Sequence, residues 1–204
     1  MTSSHTKRRK RSATEARDEA LAAARTLLLE KGPAAVTLAS VGRAIAMSHP
    51  NVIHHFGSAA GLQTALMETM IRDLAEALGD AVSALYVDAE APARLVDRVF
   101  DAFGKGGAGQ LAAWLVLARE LNHFESLEQA VTDLVAAVRA RVPASPDSEV
   151  RIRNIVLLIA VTAFGDALIG PHLRRMLGQE AGATREVIAQ ILPLLITPPP
   201  AARS

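Results

Sequence analysis

Two groups of side chains in this 204-residue chain have types and spacing that could do chemistry. The first is a run of five cations, Lys7, Arg8, Arg9, Lys10 and Arg11, which could neutralise a polyanion. The formal net charge is only +1, so the remainder of the chain is net negative and the basic charge is local; nucleic acid is the commonest partner of such an arm. The second group is His49, His54 and His55, with Asn51 among them. Their spacing offers no i, i+4 pair for shared ligation on one helix face, and no carboxylate lies near in sequence, so no metal site is expected. GKGGAG at 104–109 exposes backbone N–H groups as a phosphate loop would, but Lys105 is followed by Gly106 instead of Ser or Thr, and the preceding segment reads as helix. A flexible joint between helices is the better account. With no cysteine there is no thiolate nucleophile, disulfide or thiolate metal site, and no nucleophile elbow or dinucleotide loop is present; the chain reads as neither an enzyme nor a cofactor binder.

These groups need elements to hold them. Half the residues are hydrophobic and only 3% aromatic, and the apolar ones recur at helical spacing without strand-like alternation, so the expected fold is all-α. Residues 1–13 have no periodicity and read as a disordered basic arm. A first helix, capped by Thr14, carries Ala20, Ala24, Leu27 and Leu28 and stops at Gly32-Pro33. Thr37 caps a second, short helix through Val41 and Ile45, and after a tight connection at Ala46 and Met47, Ser48 caps a third with Pro50 in its first turn. Val52, Ile53 and Phe56 give the third helix a buried side and leave His49, Asn51 and His54 pointing away. A longer helix, 58–86, connects to helices expected near 93–103, 108–124, 126–141, 148–169 and 182–196, with breaks at GKGGAG, at PASPD and at Gly170-Pro171. Residues 197–204 read as a disordered tail. The domains expected are 14–62, a helix-turn-helix, and 63–196, a larger helical body.

The segment TLASVGRAIAMSHPNVIHHFGSAAGLQTAL resembles the signature of the TetR (tetracycline-repressor) family of transcriptional regulators, and Arg17, Ala24, Leu27, Leu28 and Gly32 stand where that family's first helix has such residues. The resemblance covers about residues 14 to 70. It implies that the third helix enters the major groove, where N-terminal side chains meet base edges and helix ends hold phosphates. His49, Pro50 and Asn51 are then the readers, Asn51 suited to adenine and Pro50 to a thymine methyl, while Thr37, Ser48, His54 and His55 become candidates for backbone contacts. For Thr37 and Ser48, capping alone is an equal account.

Many family members have a tyrosine where this chain has Ile53 and a lysine where it has Ala59, and both commonly touch phosphate. Here neither residue can. From Ala44 to Met67 there is no Lys, Arg, Asp or Glu, so the arm must supply the charge that the reading helix lacks.

In the larger body the helices near 148–169 and 182–196 are the most apolar. The resemblance implies that they pair with their twins in a homodimer, with Ile155, Leu158, Ile159, Thr162 and the Ile188–Leu195 stripe as interface candidates, since a two-fold dimer reads two half-sites. It also implies a cavity among the middle helices. Phe100, Phe103, Trp114 and Phe124, with Arg119, His123 and Asp166 as polar anchors, are its candidate lining, suited to a small apolar or amphipathic effector. The longest apolar run, Ile155–Phe164, is shorter than the roughly 18 residues of a membrane span and reads as a buried helix. Acidic residues follow the basic N-terminus where a signal peptide would have an apolar core, so a cytoplasmic protein is expected, bound to double-stranded operator DNA and not to membrane. A ligand-released repressor is the function implied. The alternative is a helical ligand-binding or protein-binding dimer with a degenerate helix-turn-helix, which Ile53 and Ala59 raise.

Overall fold

A computed structural model describes residues 12–85, 87–118, 124–142 and 148–196, the side chains of 124–126 excepted. Among the described residues there are nine α-helices and no strand: α1 (Ala13–Lys31), α2 (Leu38–Ala44), α3 (His49–Phe56), α4 (Ala59–Ala84), α5 (Ala91–Phe103), α6 (Ala108–Leu117), α7 (Phe124–Arg139), α8 (Ser148–Leu177) and α9 (Ala183–Ile196). The basic arm Lys7–Arg11, the C-terminal tail, Arg119 and His123 lie outside the described residues.

The start of α1 is set by Ser12, not Thr14. Its Oγ accepts from Glu15 N at 3.1 Å while Glu15 Oε2 accepts from Ser12 N at 2.8 Å. That reciprocal box needs a glutamate three residues beyond the cap, which Ser12 has and Thr14 lacks. Gly32 ends α1 at φ 79°, its N–H bonded to Leu28 O, and Pro33 opens a short 3-10 turn into α2. Ala20, Ala24 and Leu28 of α1, Val41 and Ile45 around α2, and Val52 and Phe56 of α3 close on Leu62 and Leu66 of α4 in one buried cluster. Gln63, itself buried, donates from Nε2 to Val36 O at 3.0 Å and pins the α1–α2 connection onto α4.

This first cluster does not stop at residue 62. It continues along α4 through Met67 and Met70 and takes in Ala108, Leu111 and Leu115 of α6. A second cluster joins the far half of α4 (Leu78, Ala81, Val82) to α5, α8 and α9 through Val96, Phe100, Ile159, Ile188 and Leu192. Helix α4 is the beam common to both. Arg185 of α9 locks onto α5, with its guanidinium facing Asp97 Oδ1 at 3.3 Å and Asp101 Oδ1 at 2.8 Å and lying 5.5 Å from the centre of the Phe100 ring. Burial works against ionisation of the Asp101 carboxyl, but Arg185 and Lys105 outweigh it and hold the group below its usual range. Its contribution to stability is therefore present at neutral pH and fades as pH falls through that lowered value.

Two expectations fail on α8. The helix does not break at Gly170-Pro171 but runs on to Leu177. Proline removes one backbone donor here, yet Asp166 and Arg174 form an ion pair along the same face, and Arg174 Nη1 also reaches Thr184 Oγ1 of α9 at 3.3 Å. Gly170 lies between the pair, where a Cβ would come within 2.5 Å of the Asp166 carboxylate, so the glycine that looked like a stop is the gap through which the pair meets. Nor is α8 a buried helix. Leu157, Leu158, Val161, Ile169, Leu173 and Met176 are exposed, and its most apolar stretch is only 17% buried. By length and composition alone the helix could cross a membrane, since an 18-residue window reaches a mean hydropathy of 1.9. Helix α6 is also shorter than the expected 108–124, with its last helical residue at Leu117.

Candidate nucleic-acid interface and ligand cavity

Helix α3 is held from one side only. Val52 and Phe56, four apart, are buried against α2 and α4, and the Arg17 guanidinium sits 5.2 Å from the centre of the Phe56 ring. Opposite them His49, Pro50, Asn51 and His54 are exposed, while His55 is half-buried with its ring edge-on to His54 at 5.8 Å. Ile53 departs from the expectation that it packs inward, for it is 40% exposed. It follows Val52 by one position, about 100° around the helix, and so falls on the outer face with His49 and Pro50.

The two hydroxyls that could either cap or contact DNA differ in their hydrogen bonds. Thr37 Oγ1 accepts from Ser40 N at 3.1 Å and donates to Ser40 Oγ at 2.9 Å, so it caps α2. Ser48 occupies the cap position of α3 but makes no side-chain capping hydrogen bond, which leaves its hydroxyl for another partner. The turn before it is tight: Met47 N donates to Gly42 O at 2.8 Å, and Ala46 adopts φ 53°, a left-handed conformation that a side chain disfavours. Gly42, which sequence reading passed over, is buried at the α2–α3 crossing; a Cβ there would lie 2.8 Å from Met47 O and 3.3 Å from Val52 Cγ2. A glycine inside a seven-residue helix is a signal of close approach, because it is a poor helix former kept for its lack of bulk. Arg43, next in sequence, is exposed on the last turn of α2 and pairs with no acid among the described residues.

The body contains a cavity of about 760 Å³ walled by α4 to α9, with Met67, Met70 and Leu74 on α4 and Ile155 and Ile159 on α8. Of the residues expected to line it, Phe103 does. Phe100 is 2% exposed in the second core beneath Arg185, Trp114 points outward from α6 at 40% exposure, and Asp166 is committed to Arg174; none of the three is in the lining. Phe124 opens α7, but its side chain lies outside the described residues. The polar lining is instead Glu128, Thr132, Ser148 and Arg151. Arg151 could have been suspected from sequence, since a cation in the first turn of an apolar helix stands against the helix dipole.

The cavity and the first core share residues. Met67, Met70, Ala108 and Leu115 belong to both, and Gly107, at φ 81°, sits so close to α1 that a Cβ would lie 3.1 Å from both Leu28 and Leu29 side chains. The GKGGAG segment is thus a packed turn, and Lys105 in it pairs with Asp101 at 3.2 Å. Among the described residues no group of three or more His, Asp or Glu is arranged to hold a metal.

Residues 20–66 match the family profile described as bacterial regulatory proteins, tetR family. The chain is 29% identical over 158 residues to the HTH-type transcriptional repressor Rv3405c of Mycobacterium tuberculosis and to the HTH-type transcriptional regulator Mb3439c of Mycobacterium bovis, covering 78% of this chain and 75% of each relative. Among solved structures, the multidrug binding protein EbrR complexed with ethidium superposes with a TM-score of 0.65 at 17% identity, over 89% of this chain and 98% of that one. A candidate TetR-family regulator from Mesorhizobium loti gives 0.61 at 11%, over 92% and 96%. At these identities the solved structures speak for the fold alone.

Proposed function

We propose that this chain, whose residues 20–66 match the tetR family of bacterial regulatory proteins, is a DNA-binding repressor of that kind that grips a palindromic operator as a homodimer and lets go when a small apolar or amphipathic molecule enters its cavity. The observation that carries the reading is α3, a helix anchored by Val52 and Phe56 whose whole outer face, His49 to Asn51 with Ile53 and His54, is exposed. Such a helix suits the major groove, with Asn51 matched to an adenine edge, Pro50 and Ile53 to thymine methyls, and the free Ser48 hydroxyl to a phosphate. Thr37 acts through its cap, holding the start of α2.

Release works as a shift between two populations. A ligand that favours one arrangement of the cavity walls also moves Met67, Met70 and Ala108, which support the reading heads, and changes their separation relative to the half-sites. The exposed stripe of α8 with Val187, Ile191 and Leu194 of α9 is the surface for the second copy. Of the interface candidates named from sequence, Leu158 keeps that role, as do Ile191 and Leu194 of the Ile188–Leu195 stripe, whereas Ile155, Ile159, Ile188 and Leu192 are used within one chain.

Selection of bound sequences from random duplex DNA tests the proposal: recovery of an inverted repeat supports both DNA reading and dimerisation, and recovery of no preferred sequence favours the degenerate helix-turn-helix instead. Val161→Glu on the exposed side of α8 is expected to yield a folded monomer by light scattering and to abolish binding to the full repeat. A dimer that persists in this variant would move the interface elsewhere.

A further inference from the structure

The shape and chemistry of the cavity narrow what can fill it. Its lining follows α4 from Met67 to Leu85, a length of about 27 Å at the α-helical rise. A cavity of about 760 Å³ drawn out along that length has room for an extended aliphatic chain. The walls agree with such an occupant. They are Leu, Ile, Val, Ala and Met, and Phe103 is the one aromatic among the described lining residues, so there is no stacked pair to sandwich a flat ligand.

The charges lie at opposite ends. Arg141, just beyond α7, rests on Gly79 in the far half of α4, while the middle of α7, at Gln129 and Asp133, borders Glu68 and Arg72 in the near half, so α7 runs back along α4. Glu128 is therefore at the Met67 end, and it is exposed. Arg151, on the first turn of α8, lies at the far end beside Val142 and Ile196. It is half-buried, its Nη1 reaches only the Ile196 carbonyl, at 3.4 Å, and it pairs with no carboxylate among the described residues. A partly buried guanidinium whose one described partner is a long contact to a neutral carbonyl favours an incoming carboxylate, which it can hold by two parallel bonds.

We propose that the effector is a long, unbranched aliphatic carboxylate, its head on Arg151 and its tail running along α4 toward Met67 and Met70. This rests on the reading of the cavity as the effector site and names the class that site takes. Glu128 sets the direction by repelling the anionic head from the near end. The tail then presses on the residues that the cavity shares with the DNA-binding core.

The test is calorimetric titration of the full chain with straight-chain carboxylates from octanoate to stearate, with the matching primary alcohols, and with ethidium. Affinity is expected to rise about fourfold per added methylene until the tail spans the lining along α4. Each carboxylate should bind about tenfold or more tighter than its alcohol, and Arg151→Gln should remove that difference while leaving the alcohol's affinity unchanged. The proposal is overturned if ethidium binds more tightly than every carboxylate, or if wild-type protein does not distinguish carboxylate from alcohol; the second comparison needs no variant. A carboxylate that binds in this pattern without releasing operator DNA upholds the ligand class and sinks the effector reading, whereas release by ethidium alone does the reverse.

Discussion

Deletion of residues 1–11 is expected to weaken operator binding by well over tenfold at moderate salt and to flatten its salt dependence. The reading helix and its flanks bring no permanent charge to the duplex, since Ala44 to Met67 contains no Lys, Arg, Asp or Glu, and the resemblance puts Ile53 and Ala59 where the family commonly has phosphate-contacting residues. Affinity for DNA comes largely from released counterions, each neutralised phosphate adding about 0.9 to the slope of log affinity against log salt. Five cations in one arm, if all are seated on phosphates, account for a slope of about 4 to 5 per protomer, which over a fourfold change in salt corresponds to a few hundredfold in affinity. Equilibrium binding of the full chain and the deletion at several salt concentrations measures both quantities. Identical slopes would show that Arg43 and the backbone N–H groups at the start of α3 suffice.

Gly42→Val is expected to abolish specific binding while leaving the helical body intact. The first carbon of the new side chain would stand 2.8 Å from Met47 O, a backbone atom held in place because Met47 N is bonded to Gly42 O. The turn cannot give elsewhere, for Ala46 already occupies an unfavourable left-handed conformation. The added methyls meet Val52, one of the two anchors of α3. Overpacking of this kind costs about 1–3 kcal/mol and is relieved by prying α3 off α2, which misdirects His49 and Asn51. Circular dichroism should change little while operator affinity falls to the non-specific level. Wild-type affinity in this variant would mean that the α2–α3 crossing does not set the angle of the reading helix.

The N-terminal helices were legible because local rules dominate there. Thr37, Gly32-Pro33 and Pro50 each act within a few residues of themselves, and the structure keeps them where capping and turn chemistry put them. At the start of α1 a second local signal, Glu15, favours Ser12 over Thr14 as the cap; elsewhere the deciding partner is remote or the choice is angular. Ile53 looks like core by residue type, but Val52 and Phe56 fix the inward face and leave it outside. Gly170-Pro171 looks like a stop until Asp166 and Arg174 meet across it. Phe100 and Trp114 were expected in the cavity on aromatic character; α9 supplies an arginine that claims the first, and α6 turns the second outward. The real lining is aliphatic, and in a chain this rich in Leu, Ala and Val nothing local separates a cavity wall from a packed core.

The sharing of Met67, Met70, Ala108, Leu111 and Leu115 between the first core and the body bears on modularity. The segment that matches the family profile ends at Leu66, one residue before this seam. Cut there, it would leave its hydrophobic underside open to water, so heat should melt the whole chain in one cooperative step. A reading head from this protein can be transplanted onto a foreign sensor only if the first half of α4 and the inner face of α6 travel with it.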